Sequence, residues 1–161
     1  MQSAREIIQE KGRKAVEGYR RTRDLGVRWA SSLTRLMEQL GQEYGERFVI
    51  ELIQNAHDAH PSGERNGLIH IRLDCSSGPH GIVYVANAGQ PFREKNFHAL
   101  CDVAQSDKPP GAGIGNKGIG FRSVLQVCRA PEIWSAEQPG ACAVTFNGFC
   151  FRFATDADYC W

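Results

Sequence analysis

Three polar side chains stand at helical spacing in residues 46–60, and of all residues in the chain their types are best suited to chemistry. Glu51, Asn55 and Asp58 follow one another at i, i+4 and i+7, which confines them to an arc of about 60° on one side of a helix. A carboxylate, an amide and a second carboxylate, without lysine or arginine, are a poor choice for solubility alone. From this segment by itself, a plain solvated helix face stays open as the alternative.

Residues 111–123 form a second unusual stretch, in which glycines precede an apolar run of helical character. Glycines let backbone N–H groups approach a ligand closely. A helix that begins after them directs its free N–H groups and its positive pole towards the same place. The pattern therefore indicates an anion site, usually for phosphate. A flexible linker is the alternative, and the apolar run directly after the glycines argues against it.

Two common phosphate loops do not fit this stretch. Residues 113–118 match G-x-G-x-x-G, but that motif needs a strand directly before it, and the sequence Asp-Lys-Pro-Pro at 107–110 cannot supply one. The P-loop needs Gly-Lys-Ser/Thr, whereas Lys117 precedes its glycine. A nucleotide site of another kind remains. His57 and His60 at i, i+3 only weakly indicate a metal site, because no third convergent ligand accompanies them.

The hydrophobic patterns predict the elements that would position these residues. We expect helices over residues 3–24, 31–40, 46–60, 93–103 and 118–128, and strands over 67–74, 82–86, 131–136 and 141–154. This order predicts an α+β fold, a two-layer sandwich with one mixed sheet covered by helices on one face. The apolar residues expected to face inward from the third and fourth helices are Phe48, Val49, Leu52, Ile53, Ala56, Ala59, Phe97, Leu100, Cys101 and Val103.

Composition indicates a soluble globular protein of 161 residues with a formal net charge of +1. That charge gives no general field for nucleic acid or membranes, and the basic residues 20–23 are better explained as a solvated helix end than as a nucleic-acid contact. No apolar run is long enough to span a membrane, and no secretion signal is evident. The six cysteines lack zinc-like spacing, so we expect reduced, mostly buried thiols in an intracellular, cytoplasmic protein.

Three motifs in this order carry a resemblance to a known superfamily. Glu51-x-x-x-Asn55-x-x-Asp58 resembles the N-box of the GHKL ATPases, which include gyrase, the large heat-shock chaperone, histidine kinases and MutL. Asn87-x-Gly89 at a strand end resembles the adenine-reading loop of these ATPases. Gly115-x-x-Gly118-x-Gly120-Phe121 resembles their glycine box, which closes over the phosphates. The sequence around these motifs, over about residues 30 to 130, resembles the sacsin and No Vein type of the superfamily.

The resemblance implies the Bergerat α/β sandwich, with residues 1–28 as a helical extension and 29–161 as the ATP-binding domain. It also implies ATP and Mg²⁺ as cofactors, with Asn55 on the metal and Glu51 orienting or deprotonating the attacking water. Residues 104–116 would form a lid. The implied nucleotide-binding residues are Asn55, Asp58, Asn87, Gly89, Lys108, Gly115, Lys117, Gly118, Ile119, Gly120 and Phe121.

Two departures from the superfamily pattern keep a second function open. Asn87 replaces the usual adenine-reading aspartate, and Pro91 replaces the second glycine of that loop. The resemblance implies an ATPase module of a larger chaperone-like or defence protein, acting with the rest of its own chain and as an ATP-dependent homodimer. We expect slow or absent hydrolysis by these residues alone, and a chain that continues beyond them. The alternative is a nucleotide-sensing or scaffold module without hydrolysis, and histidine kinase activity is a weaker third option.

Overall fold

The computed structural model describes residues 2–24, 47–101, 120–138, 145–155 and 158. In these ranges the chain is a mixed α+β protein, with three α-helices, a 3₁₀ helix and two small antiparallel sheets. No helix in the described ranges is long and apolar enough to cross a membrane. The predicted helix over residues 31–40, the predicted lid and the boundary between residues 28 and 29 lie outside them.

Helix α1 spans Ala4–Asp24, as the sequence predicts. Ser3 begins it with a capping box, in which the Glu6 amide donates to Ser3 Oγ (3.3 Å) and the Ser3 amide donates to the Glu6 carboxylate (2.7 Å). These contacts hold the pKa of Glu6 below its ordinary value. Arg13 then pairs with both Glu10 and Glu17 along the exposed surface. Such exposed pairs contribute little stability.

Helix α2 spans Phe48–Asp58 and is the element against which the rest is arranged. It contacts both strands of the first sheet and the 3₁₀ helix. Its expected apolar face is only partly covered, because Ala56 alone is fully buried (5% exposed), while Ile53 is 38% exposed. The Ala59 amide donates to the Asn55 carbonyl (3.1 Å), and the chain turns away at Pro61.

The first sheet is a hairpin of β1, Ile69–Asp74, and β2, Ile82–Asn87. The strands are antiparallel, with Ile69 opposite Asn87 and Asp74 opposite Ile82. The Asp74 carboxylate closes the turn by accepting from the Ser76 amide (2.9 Å) and hydroxyl (2.6 Å). These hydrogen bonds lower the pKa of Asp74. The register therefore places the end of β2 beside the start of β1, close to the end of α2.

Helix α3, Glu94–Cys101, buries one aromatic side chain at the centre of the core. Phe97 is 3% exposed and lies 5.1 Å from the Phe151 ring and 5.5 Å from the Phe149 ring, between centroids. Phe92 contacts the same two rings, and Phe153 extends the cluster from Phe151. Edge-to-face and tilted pairs of this kind add stability beyond the burial of their surface.

The C-terminal part of the fold differs from the sequence prediction in its local structure. In the described part of the helix predicted over 118–128, a 3₁₀ helix spans Gly120–Gln126. Among the described residues of the predicted strands over 131–136 and 141–154, two short strands form, β3, Glu132–Ile133, and β4, Phe151–Arg152, which pair with each other. Within the described ranges there are thus two sheets, where one was expected.

Serine residues form hydrogen bonds at both of these places. Ser123 is 1% exposed, and its hydroxyl donates to the Gly120 carbonyl (2.6 Å), which tightens the turn. Ser135 follows β3, accepts from the Phe92 amide (2.9 Å) through its hydroxyl and accepts from the Gly148 amide (2.9 Å) through its carbonyl. Serine side chains compete in this way with helix and sheet hydrogen bonds.

The expected burial of the thiols is wrong for most of the described cysteines. Cys75, Cys101 and Cys128 are exposed and Cys150 is half-buried, and none of these four described cysteines forms a disulfide. Cys75 lies in the hairpin turn, while Cys101 ends α3 on its solvent side. Cysteine is often buried as a small apolar residue, but the positions of these three at the ends of elements leave them open to solvent.

Candidate functional site

Helix α2 carries the three polar side chains that the sequence singles out. Glu51, Asn55 and Asp58 all lie within its helical range, so their spacing places them on one side of the helix. Glu51 is half-buried and Asn55 is exposed. The Asp58 side chain is 17% exposed, and its Oδ1 lies 3.5 Å from His57 Nδ1. This polar stripe on α2, formed by Glu51, Asn55 and Asp58, therefore presents an accessible amide between two partly covered carboxylates.

The last glycine of the glycine box lies directly against the Glu51 carboxylate. A Cβ added to Gly120 would overlap Glu51 Oε2 and would stand 2.9 Å from Cδ. Gly120 is buried there, between α2 and the 3₁₀ helix that it begins. Glycine at this position therefore leaves the space that the carboxylate fills, and two motifs far apart in the sequence meet.

Neighbouring residues of the 3₁₀ helix hold this glycine in place. The Ser123 hydroxyl donates to its carbonyl (2.6 Å). The Phe121 ring stacks on Phe153 at 5.8 Å between centroids, with 27° between their planes. The Phe121 side chain thus belongs to the aromatic core, so any contact of Phe121 with a ligand would come from its backbone.

The predicted adenine-reading loop lies at the C-terminal end of α2. The Gln90 amide donates to the Ala59 carbonyl at 2.6 Å, which ties the loop to the helix end. A Cβ on Gly89 would stand 2.5 Å from that carbonyl oxygen and 3.0 Å from Asn87 Nδ2. Glycine is therefore required at 89 for the close approach of loop and helix, while the Asn87 side chain remains exposed beside it.

An open cavity of about 270 Å³ borders this loop. His60 lies on one side of it, with Nδ1 2.8 Å from the Ala56 carbonyl oxygen. The remaining lining residues come from the turn after α2 and from the loop after β2: Pro61, Glu64, Asn66, Gly67, Ala88, Gly89 and Gln90. The cavity therefore lies at the open end of the hairpin, next to Gly89.

The structure brings together the three motifs as far as it describes them. Lys108, Gly115, Lys117, Gly118 and Ile119 lie outside the described ranges. No group of three or more His, Cys, Asp or Glu residues suited to a metal is found in the part of the chain that is described. The His60 ring is directed to the Ala56 carbonyl, with Nδ1 2.8 Å from its oxygen.

Sequence patterns do not indicate two of the residues at the site. The first is Ser123, although a serine hydroxyl often donates a hydrogen bond to the backbone carbonyl three or four residues before it. The second is His60, which the sequence indicates only weakly, as a metal ligand together with His57. No pattern signals its cavity, because the lining residues come from two separate segments.

Comparison with known proteins identifies one relative from a plant. The chain is 41% identical over 126 residues, 75% of its length, to Protein NO VEIN of Arabidopsis thaliana. The same match covers 4% of the plant protein, so the chain spans a small part of its relative. No protein-family model and no solved structure matches the chain. The expected similarity to a No Vein-type protein is thus confirmed over this segment.

Proposed function

We propose that the chain is a Mg²⁺-dependent ATP-binding module of the GHKL type, with the Bergerat sandwich as its complete fold. Hydrolysis would occur in a longer protein of chaperone-like or defence character. The observation that carries the proposal is the contact between Gly120 and the Glu51 carboxylate. A phosphate held by backbone N–H groups of the glycine box would then lie close to a carboxylate and an amide on α2.

The donor set on α2 fits a magnesium ion. Mg²⁺ prefers oxygen ligands and is usually held by one or two protein groups, with substrate phosphates and waters completing its shell. Asn55 offers an exposed amide oxygen one turn from Glu51. Bound there, the ion would neutralise charge on the triphosphate. Asn55 would hold it, and Asp58 would add a polar contact one turn further along.

Glu51 is the residue proposed to act on water. Its carboxylate is half-buried and fixed against a residue without a side chain, so it has a defined position from which to accept a proton. The backbone of Gly120 and Phe121 lies beside it, where a terminal phosphate would have to bind. Asn87 and Gly89 would contact the base at the other end of the helix.

The chain is similar to a segment of Protein NO VEIN over 126 residues, which agrees with the No Vein-type resemblance from which the proposal starts. The activity and partners of a whole protein of that kind are also proposals here, including an ATP-dependent homodimer and action with the remainder of a longer chain. Intracellular, cytoplasmic localisation is part of the same proposal.

Calorimetric titration of the chain with ATP and ADP, with and without Mg²⁺, tests the binding function. We expect Mg²⁺ to strengthen ATP binding, and Asn55→Ala to remove that strengthening by at least about tenfold in affinity, the lower end for loss of a group that supports a metal. Gln54→Ala is the matched control, because its amide lies about 100° away around the same helix. Absence of binding at millimolar nucleotide would refute the site.

The second candidate, a nucleotide-binding module that does not hydrolyse, is favoured by the uncharged Asn87 at the position of an expected acid. Glu51→Gln separates the two. In an ATPase, the variant keeps ATP affinity and loses phosphate release in the longer protein. If phosphate release is already at background in the wild-type protein while ATP binds, the non-hydrolysing function is the correct one.

A further inference from the structure

We infer that His60 selects the nucleobase, by accepting a hydrogen bond from the amino group of adenine. The inference rests on the proposed nucleotide function and adds a specificity residue to it. None of the three motifs includes His60, and its position follows only from the turn after α2 and the loop after β2.

The hydrogen-bonding state of the imidazole is fixed by the backbone. Nδ1 lies 2.8 Å from the Ala56 carbonyl oxygen, and a carbonyl can only accept, so Nδ1 carries the hydrogen of the neutral ring. Nε2 therefore presents a lone pair. It exposes less than 1 Å² and has no hydrogen-bond partner among the described residues. Buried acceptors are seldom left unpaired, and a ligand N–H group would satisfy this one.

The cavity beside His60 is large enough for more than a bridging water. Its volume of about 270 Å³ corresponds to roughly nine water molecules at their share of liquid volume. Gly67 and Gly89 form parts of its wall without side chains. Asn87 Nδ2 lies 3.0 Å from the position that a Cβ of Gly89 would occupy, so the amide proposed to read adenine is next to a residue that lines the cavity.

Gly67 covers the unpaired nitrogen and can move away from it. A Cβ at Gly67 would stand 2.7 Å from His60 Cδ2 and 3.0 Å from Nε2. Residues 61–67 are all exposed, and the Glu64 amide donates to the Pro61 carbonyl (3.0 Å) within the turn itself. Exposed turns with little packing open at low free-energy cost. A ligand at the cavity can therefore reach Nε2 by displacing the turn slightly.

His60 can discriminate between bases in a way that Asn87 cannot. An asparagine amide carries a donor and an acceptor. After a half-turn it can pair equally with the amino group and ring nitrogen of adenine, or with the carbonyl and ring N–H of hypoxanthine. The lone pair at His60 Nε2 cannot be exchanged for a donor while Ala56 holds the hydrogen on Nδ1. It accepts from the second hydrogen of the adenine amino group and repels a carbonyl oxygen.

Titration of the chain with Mg·ATP and Mg·ITP tests the inference, since ITP has a carbonyl oxygen where ATP has the amino group. We expect the wild-type chain to bind ATP about tenfold more tightly than ITP, from one hydrogen bond to a buried group. His60→Phe should bring this ratio close to one. Gly67→Ala should lower it by displacing the ring. His80→Phe, at an exposed histidine in the hairpin turn, is the control and should leave it unchanged.

A measurement on the unaltered chain keeps the test decisive if His60→Phe fails to fold. The ¹⁵N resonance of His60 Nε2 should move on addition of Mg·ATP and stay in place on addition of Mg·ITP. An equal ATP-to-ITP ratio in the wild type and His60→Phe, or an Nε2 resonance insensitive to ATP, overturns the inference and leaves the ATP-binding function standing. A wild-type chain that binds neither nucleotide overturns both.

Discussion

Replacement of Gly120 by alanine tests the contact on which the site depends, without any nucleotide. The added Cβ would overlap Glu51 Oε2 and stand 2.9 Å from Cδ, where ordinary contact begins at 3.4 Å. The carboxylate carbon must therefore retreat by at least about 0.5 Å (3.4 − 2.9), and Oε2, which lies closer, must move further. A side chain forced about 30° off its rotamer costs about 1 kcal/mol, which is the lower end of the cost expected here. Gly120 has no positive φ, so alanine suits its backbone.

The expected result is a coupling between the two positions. Glycine-to-alanine replacement at a compatible site stabilises a protein by about 0.4–1 kcal/mol, because it lowers the conformational entropy of the unfolded chain. This gain should be the same in the protein with Glu51 and in the Glu51→Ala variant. With Glu51 present, the steric cost should cancel the gain and make Gly120→Ala neutral or destabilising. With Glu51→Ala, the cost should vanish. The double-mutant cycle should therefore give an interaction free energy of at least about 1 kcal/mol.

Urea unfolding of the four proteins measures this interaction from their free energies of unfolding. Gly12→Ala provides the control, because Gly12 lies within α1 and a Cβ there would meet nothing within 4 Å. Its effect should be the same with and without Glu51. If Gly120→Ala also changes stability equally in both backgrounds, the carboxylate does not lie against Gly120, and the argument that joins the two motifs fails.

Two further predictions concern stability elsewhere in the fold. Gly89→Ala should destabilise by about 1–3 kcal/mol in urea unfolding, because its Cβ would stand 2.5 Å from the backbone oxygen of Ala59, which cannot retreat as a side chain can; a neutral effect would contradict the close approach. Arg152 and Thr155 hold the pKa of Asp158 below its ordinary value, so their contact with the ionised carboxylate stabilises the fold above the unfolded pKa of about 3.9. Asp158→Asn should therefore lower the Tm at neutral pH, and its difference from wild type should shrink as the pH falls below about 4; a pH-independent difference would contradict this origin.

Strong local patterns explain which elements could be predicted from the sequence. Helix α1 has a capping box at Ser3, α2 has helical spacing over several turns, and the hairpin has alternating strands around a glycine turn. Their bounds agree with the predictions within about two residues, the usual uncertainty of helix and strand ends. In each case the neighbours in sequence determine the conformation.

The second half of the fold depends on contacts that sequence patterns do not contain. The apolar runs around residues 131–136 and 141–154 predict long strands, whereas in their described residues Ser135 is buried and Phe149 packs against Phe97, outside any strand. At the site, the stripe on α2 was predicted, whereas the cavity at His60 was not. Its walls come from segments whose approach is set by the hairpin register.

The hydroxyl of Ser135 has a consequence for the order of folding. Its bond to the Phe92 amide joins residues 43 positions apart, so the chain must close a long loop before the bond can form, at an entropic cost that only later contacts offset. The hairpin of β1 and β2 closes a far shorter loop and forms on a microsecond scale. We therefore expect α2 and the hairpin to assemble early, and the β3–β4 pair to join the aromatic core in the last, slower phase.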